Sequence, residues 1–208
     1  MHGLNPKRSS RECIVKVTIG SDIRVLIFDC DGTLVHTLPA HYAAWAKVFA
    51  NHKIPLPLSY LDRFNSYPSW MIVEEMNREA GLFLDPHGIA NEKEDNLFHA
   101  MGEVTPVEPV LEYVYAFKDM LPMAVISGGV RRNVIKSLDA LSLTGYFDPI
   151  IGADDGYPPK TDPESFLKIA SVFDVPPSSC VVFEDGDVGL QSASKAGMKV
   201  IDVRTDLN

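Results

Sequence analysis

The apolar positions of the chain fall into short, dense blocks. Val25-Leu26-Ile27-Phe28, Met123-Ala124-Val125-Ile126 and Val181-Val182-Phe183 are unbroken apolar runs. A strand buried on both faces reads this way, without the alternation of a half-exposed one. Lys199-Val200-Ile201-Asp202-Val203 is read as a further buried strand, and Pro149-Ile150-Ile151-Gly152 as a weaker one. Cys13 to Ile19 is also β-prone, but the pattern gives it no place in a sheet. Between these blocks the apolar spacing turns helical. Arg131 to Leu141 carries Val134, Ile135, Leu138 and Leu141 on one side, and Pro163 to Val172 carries Phe166, Leu167, Ile169 and Ala170. Val188 to Ala196 is a third helix, stopped by Gly197. Strands alternating with helices predict a parallel sheet flanked by helices, a Rossmann-like α/β core.

The stretch from about Pro39 to Thr105 has a different texture. It predicts helices over Ala40 to His52 and Ser69 to Ala80 and then a polar run from Ile89 to Met101, without a convincing buried strand. Prolines sit near its ends, at Pro39, Pro106 and Pro109. The expected organisation is a core made of 1–38 and 106–208, with a small all-helical unit at 39–105 inserted after the first core strand.

Composition narrows the classes of partner. The chain has 208 residues, 46% hydrophobic and 23% charged, which suits a globular protein with a sizeable core. Its formal net charge of -9 argues against a nucleic-acid or anionic-membrane partner. Cys13, Cys30 and Cys180 are few and widely spaced, so neither a disulfide framework nor a zinc site is expected, and a reducing cytoplasm suits them. The segment Met1 to Ser21 carries basic residues but no apolar stretch behind them, and is read as a loose tail rather than a secretory signal.

The candidate chemistry lies just past the apolar runs. Asp29-Cys30-Asp31-Gly32-Thr33 follows the first strand, and in an extended segment Asp29 and Asp31 share a face. Open α/β sheets place their ligands at this end of their strands. A polar turn would account for the pair alone. Phe183-Glu184-Asp185-Gly186 repeats the arrangement on a later strand. If the two strands are parallel neighbours, their carboxylates crowd together and resist joint ionisation. A hard cation resolves that conflict, and a site of carboxylates, water and phosphate suits Mg²⁺. Ser127-Gly128-Gly129, a hydroxyl and exposed amides before a helix, is a candidate phosphate cradle. Lys160, in Pro158-Pro159-Lys160-Thr161-Asp162-Pro163, is a stiffly presented cation that can bind phosphate and offset the acidic groups.

Taken in order, these residues resemble the four motifs of the haloacid dehalogenase-like (HAD) superfamily. The first reads Asp29-x-Asp31-Gly32-Thr33-Leu34-Val35, the second centres on Ser127, the third is Lys160-x-x-Pro163-x-x-Phe166, and the fourth runs from Phe183-Glu184-Asp185 through Gly189 to Ala196-Gly197. The likeness covers 23–37 and 106–204, and the helical stretch is placed like the family's smaller cap. His41, Trp45 and the Pro68-Ser69-Trp70 turn are similar to the beta-phosphoglucomutase branch, especially its fructose-1-phosphate phosphatase-like members.

The resemblance implies a Mg²⁺-dependent phosphatase acting on small phosphate esters, sugar phosphates above all. Asp29 would be the nucleophile and form an aspartyl-phosphate, and Asp31 the general acid and base. The ion would be held by Asp29, the backbone carbonyl of Asp31 and Asp185, with Glu184 nearby. Ser127, Gly128 and Lys160 would hold the phosphoryl oxygens. The substrate would be a small phosphorylated molecule, and the protein a cytoplasmic monomer. Three positions depart from the family pattern: His36 stands where Asp is frequent and receives no catalytic role, Ser66 replaces a common glycine, and Gly186 stands where Ser or Thr is frequent. Two other readings compete. A phosphosugar mutase on the same scaffold would want basic residues near Arg63 to Trp70, where Arg63 is the only one. A receiver-like signalling module fits poorly with the Asp-x-Asp pair and the helical insertion.

Overall fold

The computed structural model describes residues 16–102 and 104–207. The apolar runs become a five-stranded parallel sheet in the order β5-β4-β1-β6-β7. Its central strand is β1 (Val25–Phe28), flanked by β4 (Met123–Ile126) and β6 (Cys180–Glu184). The edges are β5 (Ile150–Ile151) and β7 (Lys199–Asp202). All residues of β1, β4 and β6 are buried, because the sheet is covered on both faces.

The period of two sorts the side chains between those faces. Leu26, Phe28, Val125, Val181 and Phe183 pack against α4 (Glu108–Phe117) and α5 (Arg131–Ala140) through Val110, Val114, Val134 and Leu138. Phe28 stacks on Phe183 with ring centroids 4.7 Å apart. Val25, Ile27, Ala124, Ile126 and Val182 pack against α6 (Pro163–Val172) and α7 (Asp187–Lys195) through Phe166, Ile169 and Ala193.

Residues Leu38 to Ala100 form α1 (Leu38–His52), α2 (Ser69–Ala80) and α3 (Pro86–Ala100), with a 3-10 turn at Leu58–Arg63. Trp45, Val48, Phe49, Ile72, Val73, Met76 and Ile89 make a hydrophobic cluster of their own. Prolines open α1 and α3, where a missing N–H costs nothing. The Asp85 carboxylate caps α3 by accepting from the His87 amide, and Gly81, at φ 65°, ends α2. Two short strands, β2 (Val35–His36) and β3 (Thr105–Pro106), pair antiparallel where the chain enters and leaves this module. α3 also leans on α5 of the core, with Arg132 paired to Asp95 and Lys136 donating to the Phe98 carbonyl.

Four differences from the sequence reading have physical causes. Residues 16–19 are not a strand, and 13–15, including Cys13, lie outside the described residues, as does most of the N-terminal tail. Lys199 to Asp202 forms an edge strand with Lys199 and Val200 exposed, not a buried one. The helix Glu108–Phe117 was not singled out, because its dense apolar content hides a helical period. The pair β2–β3 is too short to leave a pattern. Among the described residues Cys30 and Cys180 are free and buried, and no helix is long and apolar enough to cross a membrane.

Candidate active site

The sheet register sets the floor of the site. Phe28 pairs with Phe183 and Val125, so the residues after β1, β4 and β6 emerge at one edge. The Asp29 amide donates to the Phe183 carbonyl at 3.0 Å, which extends the ladder to the first carboxylate. Gly32 then turns the chain at φ 88°. A side chain there would be strained and would also meet Asp185, whose Oδ2 lies 2.2 Å from where a Cβ would stand. Gly32 therefore lets the loops after β1 and β6 touch.

Lys160 lies beneath this edge, 2% exposed. Its Nζ donates to Asp29 Oδ1 at 2.5 Å and forms an ion pair with Glu184 Oε2 at 2.5 Å. Glu184 Oε1 accepts from the Gly186 amide at 2.9 Å and from Ser66 Oγ at 3.0 Å. Asp162 caps the helix after Lys160 by accepting from the Glu164 amide at 2.9 Å, and the prolines around it fix the approach.

Asp31 faces the helical module. Its Oδ1 accepts from Thr37 Oγ1 at 2.5 Å and lies 3.3 Å from His41 Nε2, and its Oδ2 accepts from Ser127 Oγ at 3.3 Å. The Gly129 amide donates to Ser127 Oγ at 3.0 Å and holds that hydroxyl at the end of β4. Behind His41 runs a buried polar chain. Lys93 Nζ lies 3.1 Å from His41 Nδ1 and 2.8 Å from Glu94 Oε1. Glu94 also accepts from Ser69 Oγ at 2.6 Å and from Asn133 Nδ2, on core helix α5, at 2.6 Å.

The charges explain the titration behaviour. Burial and the neighbouring Glu184 raise Asp29 well above the ordinary carboxylate range, against the opposing pull of Lys160. Burial and Glu184 likewise push Asp185 up to about 7. Lys160 stays charged, because Asp29 and Glu184 outweigh the burial that would neutralise it. One ammonium thus faces more carboxylate than it can balance. Burial would raise Asp31 too, but His41, Thr37 and Lys93 overcome it and hold Asp31 well below the usual range.

Asp29, Glu184 and Asp185 each offer a carboxylate oxygen, and these oxygens all lie within 4.8 Å of one another. Buried carboxylates with excess negative charge are a fit donor set for a metal ion, and the cluster can hold one. The Asp31 carboxylate stands apart from this group and turns toward Thr37 and His41.

A pH dependence follows from Asp185. An acid with a raised folded pKa binds more protons folded than unfolded between the two values. Its contribution is complete below about 4, the unfolded carboxylate range, and is lost as pH rises through about 7. Thermal melts in a chelating buffer are expected to show a loss of stability across that window, and a divalent ion should restore more at pH 7.5 than at pH 5. Equal restoration at both would contradict the charge argument.

The floor and the module enclose a cavity of about 90 Å³. Asp29, Asp31, Ser127, Gly128 and Asp185 line it, while Lys160 and Glu184 support Asp29 from below. All the site residues expected from the motifs are therefore brought to one place. The opposite wall is largely apolar, with Leu38, Tyr42, Trp45, Leu61, Phe64 and Ile72, relieved by Asn65, Ser66 and Lys93. Thr37, Lys93, Glu94 and Asn133 carry no signal in the motifs, and Ser66 is marked there only by its departure from a common glycine. Lys93 and Glu94 lie in the polar run from Ile89 to Met101, where spacing gives no sign of their burial. His36 is exposed on β2, away from the cavity lining.

The haloacid dehalogenase-like hydrolase family matches residues 23–197. Fructose-1-phosphate phosphatase YqaB of Escherichia coli (strain K12) is 35% identical over 86% of this chain and 95% of its own. Validoxylamine A 7'-phosphate phosphatase of Streptomyces hygroscopicus subsp. limoneus is 29% identical over 88% of this chain and 86% of its own. Among solved structures, beta-phosphoglucomutase from Clostridium difficile superposes with a TM-score of 0.75 at 23% identity, covering 86% of this chain and 83% of that one.

Proposed function

The chain belongs to the haloacid dehalogenase-like hydrolase family, and from that premise we propose that it is a phosphatase that hydrolyses the phosphate monoesters of small sugars with Mg²⁺ bound, through an aspartyl-phosphate on Asp29. The single observation that carries the site assignment is the bonding of Lys160 to Asp29 at the mouth of β1, beside Asp185 and Ser127. The core is assigned to 1–38 and 106–208 and the cap to 39–105. The name of the E. coli relative supports a sugar phosphate as substrate.

Asp29, Glu184, Asp185 and the Asp31 carbonyl would hold the ion, which supplies positive charge against the phosphate dianion. Asp29 attacks phosphorus and the ester bond breaks, leaving an acyl phosphate and the alcohol. Ser127 and the Gly128 amide orient phosphoryl oxygens, and Lys160 neutralises charge beneath Asp29. Asp31 gives a proton to the leaving alkoxide and takes one from the water that cleaves the acyl phosphate. His41, Thr37 and Lys93 favour its carboxylate in the free protein, the form that accepts a proton. An arriving dianion pushes it toward the acid form that the first step needs. The protein acts in this reading as a cytoplasmic monomer with a small phosphorylated substrate.

The contacts of Arg63 favour hydrolysis over phosphosugar mutation. Arg63 pairs with Glu79, lies 4.5 Å above the Tyr60 ring, and does not line the cavity. Lys93, the cation of the cap wall, is paired with Glu94. Among the described lining residues, a second phosphate on the substrate therefore meets no unpaired lysine or arginine of the cap wall. Arg63→Ala is expected to change kcat/KM for sugar monophosphates by less than about twofold, as for an exposed ion pair. A screen over sugar phosphates should release inorganic phosphate only with Mg²⁺. Conversion of β-glucose 1-phosphate to the 6-phosphate without free phosphate would contradict the phosphatase.

A further inference from the structure

Ser66 has an uncommon backbone and an uncommon seat. Its φ is 75°, a region that L side chains rarely adopt. The loop that carries it is stiffened by the Tyr67 amide donating to the Phe64 carbonyl at 3.0 Å and by an edge-on contact between those two rings. Its tip enters a notch whose walls are two glycines of the core, one past β4 and one past β6. A Cβ on Gly128 would stand 2.8 Å from the Ser66 carbonyl oxygen, and a Cβ on Gly186 would stand 2.2 Å from Ser66 Oγ. At Gly128 the obstacle to a side chain is the backbone of the loop, and at Gly186 it is the Ser66 hydroxyl, so neither wall takes a side chain while Ser66 holds this position. Inside the notch Ser66 Oγ reaches Glu184 Oε1 at 3.0 Å. Glu184 is fully buried and its other oxygen faces Lys160, which in turn bonds Asp29.

We propose that Ser66 is a positioning residue: seated between Gly128 and Gly186, it sets where the helical cap stops over the catalytic floor, and its hydroxyl fixes the Glu184 carboxylate that orients Lys160 toward Asp29. The inference deepens the phosphatase reading and rests on it for its kinetic part. Closing the cap and aligning Lys160 become one event, because the hydroxyl that completes the Glu184 shell arrives with the cap. Loss of the seat then acts on kcat more than on KM.

The test pairs two substitutions that should correct one another. Ser66→Gly removes the hydroxyl and suits the left-handed backbone. It is expected to lower kcat by about tenfold or more, the effect of one hydrogen bond to a charged group, with KM nearly unchanged. Gly186→Ser fills the notch and should lower kcat further. In the double variant the notch has room again, and a hydroxyl at 186 can reach the same Glu184 oxygen, so kcat should recover by about tenfold over Gly186→Ser alone, a non-additive result. Hydrogen exchange of the loop 64–68, measured without substrate or metal, gives a second readout. Gly186→Ser should raise that exchange, and adding Ser66→Gly should lower it again. Additive losses in kcat, or unchanged loop exchange in Gly186→Ser, would overturn the proposal. If no variant, nor the unaltered protein, releases phosphate, the phosphatase reading fails, while the exchange pattern still decides whether the loop is seated.

Discussion

Asp29→Asn is expected to reduce phosphate release by at least about 10⁴-fold, the scale on which removing a covalent nucleophile acts. The reason is chemical. An amide oxygen at this position keeps the shape of the carboxylate but is too weak a nucleophile to form an acyl phosphate. The fold should not suffer. Asp29 sits 5% exposed among Glu184, Asp185 and Lys160, and burial and like charge already disfavour its ionised form. A neutral side chain relieves that crowding, so the melting temperature of the metal-free variant should equal or exceed that of the parent. Substrate binding should persist, because Ser127, the Gly128 amide and Lys160 remain. Steady-state phosphate release and thermal melts on the same preparation check both halves. A variant that melts normally but retains full turnover would remove Asp29 from the mechanism.

Lys160→Met is expected to have the largest effect on stability. The methionine fills much of the same space but removes the ammonium that Asp29 and Glu184 share. Leaving buried charge without its partner costs about 3–5 kcal/mol. The deficit should appear in denaturant titrations at neutral pH with a chelator present. It should shrink as pH falls through about 7, where Asp185 takes up a proton and relieves the unpaired negative charge. A divalent ion should recover part of the stability, because it neutralises the same carboxylates, but not the rate. Turnover should fall by about 10²- to 10³-fold, as when one preorganised charge donor at the reacting group is lost. Unchanged stability in the chelating buffer would show that the carboxylates do not depend on Lys160.

How far the sequence reveals this arrangement depends on how local each cause is. β1, β4 and β6 are legible because a central parallel strand is apolar on both faces and these runs are too short for a buried helix. The carboxylates were legible because they follow those runs directly, and Lys160 because prolines frame it. Ile150–Ile151 was weaker because the strand has two residues and pairs on one side. β7 misled because Val200 is apolar yet lies exposed at the edge of the sheet. The polar chain from His41 through Lys93 and Glu94 to Asn133 left no pattern. Adjacent Lys and Glu in a polar run give no sign of burial, and it is the packing of α3 against α1, α2 and α5 that buries them. The hydrogen bond from Ser66 to Glu184 spans 118 residues, a distance at which spacing says nothing. What brings the carboxylates together is the register of parallel neighbours, Phe28 beside Phe183, and so the strand order had to be assumed before their meeting could be.

The chemistry of Asp29 can be read directly as a covalent product. Enzyme mixed with a sugar phosphate and Mg²⁺, quenched in acid within one turnover and digested, should yield one phosphorylated peptide, the one that contains Asp29. The label should be lost on mild base treatment, as an acyl phosphate is, and it should be absent from Asp29→Asn. A phosphoryl group on any other residue, or burst-free turnover with no labelled peptide at any quench time, would contradict the assignment of Asp29 as the nucleophile.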